Sequence, residues 1–140
     1  MEEKISGFNG QWRFLSNFYE TPITYEGVTY PSVENAYQAA KTISHEERLG
    51  FRNITSKEAK SLGRKVKIRE DWETLKLKVM RDLVYEKFTR NRKLCSALVL
   101  TGDAYIEETN WWGDKFWGTC KSEGENNLGK ILMDIREQLK

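Results

Sequence analysis

The sequence predicts an α+β fold: a single helix-rich domain over residues 1–140 with a small β-hairpin or sheet. A chain of 140 residues is long enough to bury one core without metal or disulfide support. Apolar residues recur at steps of three and four from Asp71 to about Arg90, which is the period of an amphipathic helix. Nearer the amino terminus, β-branched and aromatic residues alternate around Glu26 and Gly27, as they do in a β-hairpin.

The first predicted elements are this hairpin and the helix that follows it. The strands are expected at Ile23–Tyr25 and Val28–Tyr30, with Gly27 in the turn because the turn needs a positive φ. Ser32 is placed to cap a helix, since its hydroxyl oxygen can accept a backbone amide. No helix breaker occurs between Val33 and Lys41, so we expect a helix of about two to three turns there.

Two capping boxes predict two short helices downstream. Ser44 with Glu47 would begin the first, and Thr55 with Glu58 would begin the second. Gly63 follows the second pattern, and we expect it to end that helix in the left-handed conformation.

The second half of the chain is predicted to be mainly helical. After the long helix from Asp71 to Arg90, a helical pattern around Leu94–Leu98 ends at Gly102. Residues from Ala104 to Glu107 are expected to be extended, and Leu128–Leu139 carries the pattern of a terminal amphipathic helix.

Composition excludes several classes of function. Lys and Arg total 23 against 21 Asp and Glu, so a net charge of +2 does not indicate general nucleic-acid binding. Two cysteines without CxxC spacing and one histidine do not supply a four-ligand zinc site, and we expect neither a metal nor a cofactor. No apolar run reaches the length of a membrane span, and the charged start Met1–Ile5 lacks the features of a signal peptide, so we expect a cytoplasmic protein.

The first candidate site lies on the helix after the hairpin. Steps of four and three residues bring Glu34, Gln38 and Lys41 to one face, where a carboxylate and an amine can act together. The competing interpretation is a solvated polar stripe, which is what most charged helix faces are. For an isolated helix, the pattern alone favours the stripe.

The second candidate is a tryptophan-rich segment from Asn110 to Gly118. A carboxylate among large apolar rings, here Asp114 with Glu108 just before the segment, suits proton transfer or the stabilisation of a developing cation. The alternative for Asp114 is a turn residue bonded to its own backbone, which is equally compatible with the local sequence.

The third candidate is the polar run from Gly124 to Gly129 before the last helix. Free backbone amides at a helix start can hold phosphate. The run is not a Walker or GxGxxG pattern, and by itself it favours a loop with an asparagine cap.

Together these segments resemble the NADAR family, also called YbiA-like, from about Phe8 to Arg136. No single motif is distinctive, but their order along one domain is. The matching pieces are Phe14-Leu-Ser-Asn-Phe-Tyr19, Gly27-Val-Thr-Tyr-Pro-Ser-Val-Glu34, Tyr37-Gln-Ala-Ala-Lys41, Ala59-Lys-Ser-Leu-Gly63, Trp72, Met80, Lys87-Phe88, Leu100-Thr-Gly102, Glu108-Thr-Asn110, Trp112-Gly-Asp114, Phe116-Trp-Gly118, Asn127-Leu-Gly129, Leu132-Met133 and Arg136.

The resemblance implies a YbiA-like fold and an N-glycosidase that cleaves a ribose–nitrogen bond. It implies one of two substrates: phosphoribosylamino-pyrimidine intermediates of riboflavin biosynthesis, or ADP-ribose on guanine in nucleic acid. Glu34, Lys41 and Asp114 would then be catalytic, with no metal. The substrate-binding residues would be Asn17, Gln38, Trp72, Glu108, Trp112, Trp117, Gly118, Asn127 and Gly129.

Physical chemistry gives these residues roles. Breaking an N-ribosyl bond develops positive charge at the anomeric carbon, which Glu34 would stabilise while Asp114 orients hydroxyls or water. In a variant mechanism, the Lys41 amine forms a Schiff base with the ring-opened sugar. The alternative function is a non-catalytic module that binds ADP-ribose or an NAD-related nucleotide, and a protein that simply binds nucleic acid ranks third. The natural substrate and the oligomeric state stay open.

Overall fold

The computed structural model describes residues 3–140. The cytoplasmic prediction used the segment Met1–Ile5, of which Met1 and Glu2 lie outside the described residues. Helices dominate, and the strands are short. In chain order the elements are β1 (Lys4–Ser6), a 3-10 helix (Gly10–Leu15), β2 (Ile23–Tyr25), β3 (Val28–Tyr30), α1 (Val33–Ala40), α2 (His45–Leu49), α3 (Ser56–Leu62), α4 (Trp72–Arg90), α5 (Arg92–Val99), β4 (Tyr105–Glu107), β5 (Thr109–Asn110), β6 (Thr119–Cys120) and α6 (Asn127–Leu139).

The chain divides into two compact units. One contains residues 17–87, and the other contains residues 3–16 together with residues 88–140. The family-sized single domain predicted over residues 1–140 is not tested by this division and stays a prediction.

In the unit of residues 17–87, the predicted hairpin and helices are present. Strands β2 and β3 pair antiparallel, with Ile23 opposite Tyr30. Glu26 and Gly27 both have positive φ, 46° and 82°, as a two-residue hairpin turn requires. Helix α1 follows directly and is buried along its whole length, so its polar residues are enclosed by protein.

A network of buried polar groups holds α1 in place. The Ser32 hydroxyl caps the helix by accepting the amide of Asn35, and it donates to the Asn35 side-chain oxygen at 2.6 Å. The Asn35 side-chain nitrogen donates to the carbonyls of Phe51 and Ile54, both at 2.9 Å. Because buried polar groups are costly unless paired, this network fixes the position of the helix that carries the first candidate site.

The second unit contains strands that the sequence did not predict. Strand β1 pairs in parallel with β4, with Ile5 opposite Ile106, and β5 pairs in parallel with β6. Helix α6 packs against β4 and against α5. These strands pair in parallel and no tight turn joins the partners, so the sequence carries no hairpin signal for them, and only the extended stretch at β4 was foreseen.

Two local predictions were wrong. Gly63 ends α3 with φ −60°, in the right-handed rather than the left-handed region. Ser44 caps α2, but its capping box is not reciprocal, because the Glu47 carboxylate instead accepts the hydroxyl of Thr42 at 2.7 Å. The capping box of Thr55 and Glu58 is complete, as predicted.

Within residues 3–140, none of the helices is both long enough and apolar enough to cross a lipid bilayer.

Candidate functional site

The first candidate site stands on α1, and burial decides between its two interpretations. Glu34 is 8% exposed and Gln38 is 5% exposed, so the solvated-stripe interpretation is wrong for these two residues. Lys41, at the end of the helix, is partly exposed. A carboxylate and an amide are therefore enclosed by protein on this face, and an amine lies at its partly exposed end.

Glu34 and Gln38 are joined directly. The Gln38 side-chain nitrogen donates to Glu34 Oε2 at 2.6 Å. The backbone of Glu34 is held as well, because its amide donates to the carbonyl of Asn17 at 3.0 Å. The Asn17 side-chain nitrogen is 3.4 Å from the sulfur of Met80 on α4, so Asn17 links the start of α1 to that helix.

Lys41 lies beside one aromatic ring, which in turn packs against a second. Its Nζ is 5.7 Å from the centre of the Tyr37 ring, and that ring is 5.2 Å from the ring of Trp72. Burial lowers the pKa of the Lys41 ammonium from its ordinary value, Glu34 opposes this effect, and Arg64 adds to it. A larger share of neutral amine is therefore present than on a solvated lysine, and the neutral amine is the nucleophilic form.

The second candidate site is a loop in the other unit, and Asn110 organises it. The Asn110 side chain accepts the Asp114 amide at 3.0 Å and donates to the Asp114 carbonyl at 2.8 Å. Asp114 Oδ1 in turn accepts the amides of Phe116 and Trp117. Asp114 Oδ1 therefore acts as the turn interpretation predicted, by accepting nearby backbone amides. Asp114 Oδ2 has no hydrogen-bond partner among residues 3–140.

The loop is also tied to the start of α6. The Asn127 backbone and side-chain nitrogens both donate to the carbonyl of Phe116, and the Leu128 amide donates to the carbonyl of Trp117. These are the amides that the sequence offered as a candidate phosphate site, although the local pattern by itself favoured a loop with an asparagine cap. Because they already have protein acceptors, the structure supports an anchoring role for them, and the phosphate role stays a prediction.

Three predicted substrate-binding residues lie at close contacts between chain segments. A Cβ at Gly118 would clash with the carboxylate and the carbonyl of Glu108, and a Cβ at Gly129 would clash with the carbonyl of Ile106. The Asn110 side chain also donates to Glu108 Oε2 at 3.0 Å. These contacts explain why glycine is needed at both positions.

The tryptophans of the loop differ in exposure. Trp111 is 87% exposed and Trp112 is 48% exposed, and their rings meet edge to face at 5.6 Å. Trp117 is half-buried and packs edge to face on Phe116 at 4.7 Å. Large apolar faces open to solvent on an ordered loop are suited to stacking with a planar ligand.

The predicted residues therefore fall into two groups, one in each unit. Around α1, the structure brings together Asn17, Glu34, Gln38, Lys41 and Trp72. Around the loop, it gathers Glu108, Trp112, Asp114, Trp117, Gly118, Asn127 and Gly129.

Sequence reasoning missed the site roles of two residues. Tyr37 was not among the predicted site residues, although its ring lies beside Lys41, and Asn110 was not singled out, although it organises the loop. The four-residue step from Asn110 to Asp114 across Gly113 was the available signal. Within the described part of the chain, no three His, Cys, Asp or Glu side chains converge as a cation site would require.

Comparison with known proteins identifies relatives along nearly the whole chain. A riboflavin biosynthesis protein of Vibrio vulnificus is 39% identical over 131 residues, which cover 90% of this chain but only 35% of that protein. The N-glycosidase YbiA of Escherichia coli is 35% identical over 132 residues, covering 89% of this chain and 80% of that one. The second name confirms, for the family, the enzyme class that the sequence predicted.

The fold comparison agrees. The NMR structure of the E. coli protein YbiA matches with a TM-score of 0.88 and 32% identity, over 99% of this chain and 86% of that chain. The predicted YbiA-like α+β fold is therefore confirmed. A model of the NADAR domain matches residues 4–140, and by this match and the 35% identity to YbiA the chain belongs to the NADAR domain family.

Proposed function

We propose that this protein is an N-glycosidase that hydrolyses the bond between a ribose anomeric carbon and the nitrogen of a base. The observation that carries the proposal is the cluster on α1, where a buried carboxylate and a lysine with lowered pKa lie on one helix face. The names of the relatives support the reaction class and point to riboflavin biosynthesis. The substrate class is a phosphoribosylamino-pyrimidine or an ADP-ribosylated guanine.

Glu34 is the group that stabilises the positive charge formed on the sugar during the reaction. Loss of the base leaves positive charge on the anomeric carbon and the ring oxygen, and a carboxylate in a site with little water stabilises that charge strongly. In direct hydrolysis, Glu34 also takes a proton from the attacking water, while the leaving nitrogen gains a proton from an acid.

Lys41 offers a covalent route to the same products. Its neutral Nζ bonds to the anomeric carbon as the bond from that carbon to the base nitrogen breaks. One amine proton goes to the departing nitrogen and the other to the ring oxygen, which opens the ring and leaves a neutral imine. Water then hydrolyses the imine to the sugar aldehyde and the free amine. The lowered pKa of Lys41 supports this route, because only the unprotonated amine attacks.

The tryptophan loop supplies binding surface by its own chemistry. The exposed faces of Trp111 and Trp112 suit a nucleobase or a pyrimidine ring. Asp114 keeps Oδ2 for a ligand hydroxyl, while its Oδ1 holds the loop. Replacing Asp114 by Asn tests its catalytic assignment separately from that of Glu34.

Product analysis tests the proposed reaction. The protein is incubated with a phosphoribosylamino-pyrimidine and, separately, with an oligonucleotide that carries ADP-ribosylated guanine, and the products are identified by mass spectrometry. Release of ribose 5-phosphate or of ADP-ribose supports the proposal and names the substrate. If neither substrate is cleaved while ADP-ribose binds, the chain is a binding module and the proposal fails.

Two variants assign the chemistry. We expect Glu34→Gln to abolish turnover while retaining much of the binding, and unchanged hydrolysis would remove Glu34 from the mechanism. We expect borohydride to trap a substrate-dependent adduct at Lys41, and Lys41→Arg to form none. Turnover without any adduct would leave only the direct route.

A further inference from the structure

We propose that Gln38 is a positioning residue for the Glu34 carboxylate, and that position 63 is glycine because the Gln38 side chain occupies the space of a Cβ. The inference rests on the proposed function, in which Glu34 is catalytic. It changes the expected role of Gln38 from contacting the substrate to orienting a group that does.

The hydrogen bond between the two side chains is short and buried. Gln38 Nε2 lies 2.6 Å from Glu34 Oε2, and both side chains are more than nine-tenths buried. A neutral donor to a carboxylate in such surroundings competes with little water and holds the carboxylate in one orientation. The opposite orientation of the Gln38 amide would set its oxygen against the carboxylate oxygen, so the donor orientation is the favourable one.

The other side of the Gln38 amide faces Gly63. A Cβ at residue 63 would clash with Gln38 Oε1, and it would lie 2.7 Å from the amide carbon. Gly63 has φ −60° and ψ −20°, a conformation that any residue adopts. Backbone conformation therefore does not demand glycine here, whereas the space taken by Gln38 does.

Gln38 Oε1 confirms how tight this packing is. It is a buried oxygen without a hydrogen-bond partner among residues 3–140. It lies in the space that a Cβ of Gly63 would occupy. The Gln38 oxygen therefore lacks a hydrogen bond, while the nitrogen of the same amide donates to Glu34.

The test is a double-mutant cycle with a matched control. Gln38→Met removes the donor at similar length, and Gly63→Ala pushes the amide away from Gly63. Gly50→Ala is the control, because Gly50 also ends a helix in the right-handed region and its Cβ would approach only the Glu47 carbonyl, at 3.2 Å. Steady-state rates, their pH dependence and melting temperatures are measured for each variant.

We expect Gln38→Met and Gly63→Ala each to lower kcat by roughly 10- to 100-fold with little change in KM, the scale of a lost hydrogen bond to a charged group. The acid side of the pH–rate profile should move toward neutral pH, since the ionised carboxylate loses its donor. Gly63→Ala should add little in the Gln38→Met background, because both changes break the same contact. Gly50→Ala should leave kcat unchanged.

Two results separate the failure of this inference from the failure of the proposed function. If Glu34→Gln abolishes turnover but Gln38→Met alters neither kcat nor the pH profile, the positioning role is overturned and the proposed function stands. If Glu34→Gln retains turnover, the catalytic role of Glu34 is overturned, and the positioning role with it. Independent, additive losses from Gly63→Ala and Gln38→Met would overturn the link between them.

Discussion

At the scale of single residues, the candidate site consists of polar side chains that are shielded from water. Glu34 and Gln38 are enclosed on α1, and Lys41 beside them carries a lowered pKa. Desolvation of a charged group costs stability, and in enzymes such groups are retained where the chemistry needs them.

Lys41→Met is expected to stabilise the fold at neutral pH. Because the pKa of Lys41 is lowered in the folded state, the unfolded chain binds its proton more tightly, and keeping the lysine charged costs folding free energy below the folded pKa. The wild type should regain stability as pH rises from the folded pKa toward the ordinary lysine value of 10.5, so the advantage of the variant should shrink there. Urea unfolding at several pH values measures the difference. An advantage that grows with pH would contradict the cause given for the shift.

Gly118→Ala is expected to destabilise the protein. The new Cβ would clash with the Glu108 backbone carbonyl, which cannot move as freely as a side chain, so we expect a loss of about 1–3 kcal/mol. Chemical denaturation measures it, with Gly50→Ala as a control that meets only one carbonyl at 3.2 Å. Equal midpoints for the two variants would show that the loop yields without cost.

At the scale of elements, hydrogen bonds from side chains to the backbone order segments that have little regular secondary structure. The loop from Asn110 to Trp117 has little regular structure. The side chains of Asn110 and Asp114 nevertheless form hydrogen bonds with the backbone groups of Asp114, Phe116 and Trp117. Helix α6 continues this order, because its first amides bond to the loop. Arg136 on the same helix is buried and donates to the Thr101 hydroxyl and to the Ala104 carbonyl, so it ties α6 to the segment before β4.

Asn110→Ala is expected to loosen the tryptophan loop. The change leaves the Asp114 amide and carbonyl without their partner, at a cost of about 1–3 kcal/mol in local order. Hydrogen exchange over residues 111–117 should become faster, and tryptophan fluorescence anisotropy should fall. Asn53→Ala, at an exposed asparagine, is the control. Unchanged exchange in Asn110→Ala would mean that the loop is ordered by its ties to α6 alone.

At the scale of the whole molecule, the chain shows the family fold in two compact units, and composition limits its chemistry. One histidine and two cysteines, both free thiols, give few metal ligands. That the protein needs no metal and that it is cytoplasmic both stay predictions from the sequence. The natural substrate, which the sequence left open, is the question that the product analysis answers.

Activity is expected to survive removal of metal ions. Dialysis against EDTA should leave kcat and KM unchanged, because the proposed chemistry needs only a carboxylate and an amine. The assay is the product analysis described above, with EDTA-treated protein before and after addition of Mg²⁺ or Zn²⁺. Loss on dialysis with recovery on adding either ion would contradict a metal-independent mechanism.

The sequence by itself determined the α+β class and the long helices, because those features rest on local patterns: capping residues, a two-residue turn and apolar periodicity. The family came from the order of the motifs, which resembles that of the NADAR family. The sequence also singled out Glu34, Gln38 and Lys41 as one face of a helix. Only the tertiary structure decided that Glu34 and Gln38 on this face are buried and that the Gln38 side chain fills the space beside Gly63. The physical reason is that burial and close contact depend on segments distant in sequence, such as α3 against α1, whose approach no local pattern records.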